Sequence, residues 1–167
     1  YFNTPFSVSP DNTKIVFCDR RANVIYCYDI NQHVTNPVIR DIEILGIFRE
    51  IDWIDSTRLG VVAKDSTEGT ESVLELPIDG GTPRIIYKHK NVWPAFAFSP
   101  KGDVVLLTLI KPDRVILVDM TSGSHTCIED WQGGMQGFSW SPDGRTLASP
   151  RDEFIDLYDL EKNEQGE

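Results

Sequence analysis

Sixteen Lys and Arg stand against 26 Asp and Glu in 167 residues, a formal charge of −10 at pH 7. Binding a phosphate backbone needs clustered cations, so nucleic acid is excluded as the main partner. With 40% hydrophobic and 25% charged residues the composition is that of a globular domain with one sizeable core. The longest apolar runs, such as Val104–Leu107, fall far short of the roughly 20 residues of a membrane span, and no membrane insertion is expected.

The first five residues, Tyr1-Phe2-Asn3-Thr4-Pro5, lack a basic region leading into an apolar one and do not read as a signal peptide. The compartment stays open between periplasm and cytoplasm. Next comes Phe6-Ser7-Val8-Ser9-Pro10-Asp11-Asn12, a short strand closed by a turn. Pro presets φ at the first corner of such a turn, and Asn or Gly tolerates positive φ at a later one. Two further strands are predicted at Lys14–Phe17 and Val24–Asp29, and a fourth at Pro37–Arg40.

The same order recurs. A degenerate copy runs Ile51–Thr57, Leu59–Val62, Ser72–Pro77 and Arg84–Tyr87, without Ser-Pro and with Pro77 where the others close on Asp. Between its strands, the acidic run Asp65–Glu71 reads as a solvated hairpin extension whose negative field could steer a basic partner. A third copy runs Phe96–Gly102, Val104–Leu107, Val115–Asp119 and His125–Ile128, and a fourth runs Phe138–Gly144, Thr146–Ala148 and Phe154–Asp159. After the fourth, Leu160–Glu167 is too polar to supply a buried strand, so the last copy is expected to be incomplete. Val8, Trp53, Phe98 and Trp140 are equivalent anchors, 45, 45 and 42 residues apart. That spacing matches the period of about 40 to 45 residues of a β-propeller blade. Helices are not expected, because Pro, Gly or Asn interrupts every helical stripe.

The chain is therefore read as all-β, a β-propeller of about four repeats of four-stranded antiparallel blades and a partial propeller, with blades at about 1–43, 44–89, 90–130 and 131–167. Cys18, Cys27 and Cys127 are odd in number and have no C-x-x-C spacing, so neither a disulfide framework nor a zinc site is expected. A hairpin turning near Arg21-Ala22 would set Cys18 opposite Asn23 or Val24, away from Cys27. His33, His89 and His125 are isolated and read as loop residues, not ligands. No G-x-S-x-G elbow, phosphate-binding loop or dinucleotide-binding turn is present. No catalytic residue, metal or cofactor is assigned.

The phrase Phe138-Ser139-Trp140-Ser141-Pro142-Asp143-Gly144-Arg145-Thr146-Leu147-Ala148, closing on Leu157-Tyr158-Asp159-Leu160, resembles the TolB-like propeller repeat, a relative of the WD repeat in which Ser-Pro-Asp-Gly marks each blade. The resemblance covers nearly the whole chain, strongly in the first, third and fourth copies and weakly in the second. It implies the propeller fold and no single activity. Such repeats occur in periplasmic scaffold proteins and in the substrate-gating propellers of prolyl-oligopeptidase-like and tricorn-like serine peptidases. Relatives close rings of about six to eight blades, so the four copies here imply either a larger propeller with further blades or a homo-oligomer in which a second chain completes the ring.

In a propeller, the loop from the outer strand of one blade to the inner strand of the next opens near the central channel. Here those loops carry Gly46–Arg49, Asn91–Pro94 and Trp131–Gly134, with Tyr1–Asn3 in the corresponding place before the first blade. Aromatic and Arg side chains on loops are the types enriched at binding hot spots. The expected role is a non-catalytic scaffold binding a protein or peptide through Phe2, Arg49, Trp93, Trp131 and Gln132. In the competing reading, Trp93 and Trp131 plug the gaps between blades. Trp53 and Trp140 are read as core. The recurring Asp29, Asp119 and Asp159 are read as turn caps accepting backbone N–H bonds, not metal ligands. A hydrolase site in the channel is the weakest option, since the inner strands offer mainly Phe6, Phe96, Ala97, Phe138 and Ser139.

Overall fold

The computed structural model describes residues 6–19, 23–39, 47–64, 68–90, 92–110, 113–128, 131 and 137–160. These residues form fifteen strands and no helical element. The first sheet contains β1 (Phe6–Val8), β2 (Lys14–Asp19), β3 (Val24–Asp29) and β4 (Val34–Ile39), hydrogen-bonded in chain order and antiparallel throughout. The second repeats this order with β5 (Ile47–Trp53), β6 (Arg58–Lys64), β7 (Glu71–Pro77) and β8 (Arg84–His89). In the third, β9 (Val92–Phe98), β10 (Val104–Leu109), β11 (Arg114–Asp119) and β12 (His125–Cys127) do the same. The fourth has three strands among the described residues, β13 (Ser139–Trp140), β14 (Thr146–Arg151) and β15 (Phe154–Asp159).

Residues 1–90 and 91–167 make two compact units, each holding two of these sheets. The physical basis of each is the two-residue alternation of a strand, which gives every sheet two faces. In the first unit, Val16, Cys18, Ile25 and Cys27 share one face of the first sheet, which we call its forward face. They pack, with Val38, against Ile51, Trp53, Leu59, Val61, Leu74 and Leu76 on the rear face of the second sheet. Fully burying one such side chain contributes about 1.5–3 kcal/mol, so this two-layer core stabilises the unit.

The second unit repeats the scheme. Leu106, Val115, Leu117 and Ile128 belong to a core with Phe138, Trp140, Leu147 and Tyr158 of the fourth sheet. An indole clamp accompanies each core. Trp53 Nε1 donates to the Ser7 carbonyl over 3.1 Å, and Trp140 Nε1 donates to the Ala97 carbonyl, also over 3.1 Å. Ser7 and Ala97 each precede the anchor residue of the earlier sheet in their unit, so a repeat-spaced Trp finds a repeat-spaced acceptor. Ser7 Oγ adds a 2.7 Å bond to Asp52 Oδ1.

Several local expectations are corrected. The β2–β3 register sets Cys18 opposite Ile25, not Asn23 or Val24, because a ladder centred between positions 21 and 22 already pairs Asp19 with Val24 and places Cys18 one residue further from the turn. None of the three cysteines is in a disulfide, with Cys18 and Cys27 buried and Cys127 half-buried. His89 and His125 lie in strands, and His33 occupies a turn at φ +57° with its Nδ1 2.9 Å from the Tyr28 hydroxyl. The acidic run is not solvated to its end. Thr70 and Glu71 are buried because β7 begins at Glu71, while the exposed Glu68 pairs with Lys88 at 2.7 Å.

Candidate binding site

The inner strands and their turns carry the features that could shape a binding surface. Each Ser-Pro turn is locked by its serine. Ser9 Oγ donates to Asp11 Oδ1 (2.6 Å) and accepts the Lys14 N–H (2.9 Å), while Asn12 N–H closes on the Ser9 carbonyl (2.8 Å). Ser141 Oγ repeats this with Asp143 (2.6 Å) and the Thr146 N–H (2.9 Å). In the third copy Lys101 replaces the Asp, and Ser99 Oγ donates to Asp103 instead (2.6 Å). Asn12, Gly102 and Gly144 occupy the same corner at φ +57°, +68° and +75°, a conformation only Gly and Asn adopt cheaply. The degenerate copy substitutes Asp55, whose carboxylate accepts the N–H groups of Thr57 (2.8 Å) and Arg58 (2.9 Å).

These bonds hold the carboxylates in their charged form. Asp11 is lowered to about 2, first by the Ser9 hydroxyl and then by the Thr13 backbone and side chain. Asp143 is lowered by Ser141 and the Arg145 N–H, and Asp119 by the backbone and side chain of Ser122. Asp29 and Asp119 cap their turns. Asp29 Oδ1 accepts the N–H groups of Asn31 and Gln32, at 2.9 and 2.8 Å. Asp119 Oδ1 accepts those of Thr121 and Ser122, at 3.0 and 2.6 Å. Among the described residues no group of three or more His, Cys, Asp or Glu gathers in a metal-binding arrangement.

The five residues singled out from the sequence have different places. Phe2 and Gln132 lie outside the described residues. Arg49 and Trp93, expected in loops, belong to the inner strands β5 and β9, which begin earlier than their apolar pattern suggests. Trp131 packs in the second unit's core, stacked on Tyr158 at a centroid distance of 4.1 Å and tilted against Phe138 at 5.4 Å.

A feature the repeat pattern does not reveal lies on those same strands. Phe48 pairs with Ala63 and Glu50 with Val62, so Arg49 is the extra residue of a β-bulge. In β9, Trp93 pairs with Thr108 and Phe96 with Leu107, which leaves Pro94 and Ala95 outside the ladder. Arg49 and Pro94 are 45 residues apart, the blade period, so the two bulges are equivalent. The one sequence signal was Pro94, since proline within a strand marks an edge or a bulge. Bulges re-aim side chains and are common beside functional sites.

Toward the opposite end of the β5–β6 ladder from the Arg49 bulge, the second sheet carries a charged network. Arg58 bridges Asp55 (2.7 Å) and Glu75 (3.3 Å), and Arg84 joins Glu75 (2.7 Å). Its arginines are part-exposed, so it orders β6–β8 more than it adds stability.

No family model and no curated protein matches the sequence. Solved structures do. The chain is similar to the tricorn protease, at 18% identity and a TM-score of 0.70 over 95% of this chain and 16% of that one. It is similar to a putative TolB from Agrobacterium tumefaciens, at 22% identity and 0.68 over 92% of this chain and 56% of that one. It is also similar to an oligogalacturonate lyase in complex with manganese, at 12% identity and 0.72 over 98% of this chain and 51% of that one. The chain thus spans between about a sixth and a little over half of these structures. At such identities the likeness carries the fold alone, and that fold is the β-propeller, built here from antiparallel blades.

Proposed function

We propose that the chain is a non-catalytic propeller module, with a TolB-like repeat, that binds a protein or peptide through the loop-bearing ends of its inner strands. The observation that carries this reading is the pair of equivalent bulges at Arg49 and Pro94–Ala95. Each interrupts an inner strand at an equivalent register position, one at Arg49 in the first unit and one beside Trp93 in the second, and Arg and Trp are residue types that dominate binding hot spots. The recurring Ser-Pro turns, Ser-Pro-Asp-Gly in the fourth copy, and the likeness to a TolB structure support the repeat type.

The experiment is a peptide selection on the wild-type chain, followed by affinity measurements on the Arg49→Ala, Trp93→Ala double variant. Selected peptides are expected to bind the variant at least about tenfold more weakly while its Tm stays within a few degrees. Unchanged affinity would place binding elsewhere and sink the reading.

A second reading, a substrate-gating propeller of a tricorn-like or prolyl-oligopeptidase-like serine peptidase, is favoured by the coverage of 95% of this chain on the tricorn protease. A G-x-S-x-G elbow in coding sequence beyond residue 167 would support it.

A further inference from the structure

The sequence holds two Asp-Gly pairs, Asp79-Gly80 between β7 and β8 and Asp143-Gly144 between β13 and β14. They sit in turns of one design. The Gly80 N–H closes on the Pro77 carbonyl as the Gly144 N–H closes on the Ser141 carbonyl, and the two glycines have φ +86° and +75°. Each aspartate turns its side chain forward along the chain. Asp79 Oδ1 accepts the Gly81 N–H at 3.2 Å, and Asp143 Oδ1 accepts the Arg145 N–H at 3.1 Å. A carboxyl bonded to the second N–H after it is drawn toward the first, the glycine nitrogen, which no Cβ screens.

The two turns differ at one place. Ser141 Oγ donates to Asp143 Oδ1 at 2.6 Å, whereas the matching position before Asp79 is Pro77, which has no hydroxyl. A short bond to a charged oxygen is strong and favours the ionised form, and Asp143 is held below the usual carboxylate range with the Ser141 hydroxyl as the first cause. A carboxylate resists attack by a nitrogen, because an oxygen can leave as water only from the neutral acid. Asp79 receives only the Gly81 bond among the described residues. The nitrogens differ too, for the Gly144 bond measures 2.9 Å and the Gly80 bond 3.3 Å, beyond the ordinary range. Exposure does not separate the pairs, since both aspartates face solvent.

We propose that the Asp79–Gly80 peptide is a site of spontaneous backbone isomerisation to isoaspartate, and that the Ser141 hydroxyl spares Asp143–Gly144 the same change. The Gly80 nitrogen attacks Asp79 Cγ, a C–N bond forms, and one carboxyl oxygen leaves as water with its own proton and that of the amide. The product is a cyclic imide. Water then adds at the Asp79 backbone carbonyl and breaks its bond to the Gly80 nitrogen, so the chain continues through Cβ and Cγ; hydrolysis at Cγ instead restores the original. Water is lost and regained, no electron is transferred and the mass is unchanged. The isomer adds a carbon to the backbone of a turn without slack, where a Cβ at Gly81 would already meet Pro77 Cγ at 3.0 Å. The site involves neither Arg49 nor Trp93 and stands independently of the binding reading.

The test incubates the folded chain at about pH 5, where a free carboxyl is partly protonated, and maps its digests for aspartyl and isoaspartyl peptides of equal mass. Isoaspartate is expected to accumulate at Asp79 at least about tenfold faster than at Asp143. In guanidinium chloride, where the turns are lost, the two rates should come within about threefold of each other. In the folded chain, Ser141→Ala should raise the rate at Asp143 at least about threefold and leave that at Asp79 unchanged. Should this variant fail to fold, the comparison of folded and denatured wild type decides alone. Equal rates in the folded chain, a faster rate at Asp143, a preference for Asp79 that persists in denaturant, or a folded Ser141→Ala chain with Asp143 as slow as before would each overturn the proposal.

Discussion

Ser9, Asp11 and Asn12 show how much of a blade is decided by three side chains. The serine accepts two backbone N–H groups and donates to the carboxylate, and the carboxylate in turn accepts the Thr13 N–H at 3.1 Å. This ties acid stability to the turns. Asp11 sits at about 2 in the folded chain against about 3.9 unfolded. The folded state therefore takes up its proton later, and the stabilisation is complete above about pH 4 and disappears as the pH falls through about 2. Asp143 and Asp119 are lowered too and act in the same direction. The urea midpoint is expected to drop between about pH 4 and pH 2, and Asp11→Asn to make that drop shallower. A variant midpoint as steep as the wild type's would show that the turn carboxylate is not the titrating group.

At the level of the strand, the apolar strand pattern was readable in all four copies and the Ser-Pro turns in the first, third and fourth, because strand patterning and turn chemistry are local. The bulges were not. A bulge depends on which residue faces which across the ladder, and nothing in Ile47–Trp53 itself announces that Arg49 will be skipped. Trp131 illustrates the same limit, for a Trp after an outer strand fits a loop anchor or a plug equally well, and only packing decides. With its ring stacked on Tyr158 at 4.1 Å, Trp131→Ala is expected to cost about 3 kcal/mol, read by urea denaturation. A loss below about 0.5 kcal/mol, typical of an exposed site, would return Trp131 to the binding surface.

For the molecule as a whole, charge opposes compaction. Even with every Lys and Arg matched to a carboxylate, a net −10 remains, and salt screens that self-repulsion while barely weakening a buried apolar core. Raising NaCl from about 10 to about 300 mM is expected to raise Tm by a few degrees, seen by circular dichroism. A fall would mean that pairs such as Arg84–Glu75 contribute more than the excess of carboxylates costs. The blade period, the all-β class and the identity of the turn residues were set by the sequence alone, since each follows from spacing or from the conformational range of single residues. The register, the bulges, the indole clamps and the division of each sheet into forward and rear faces were decided only by tertiary structure. They depend on which strand meets which, and residues about 45 positions apart influence one another only after the sheets have packed.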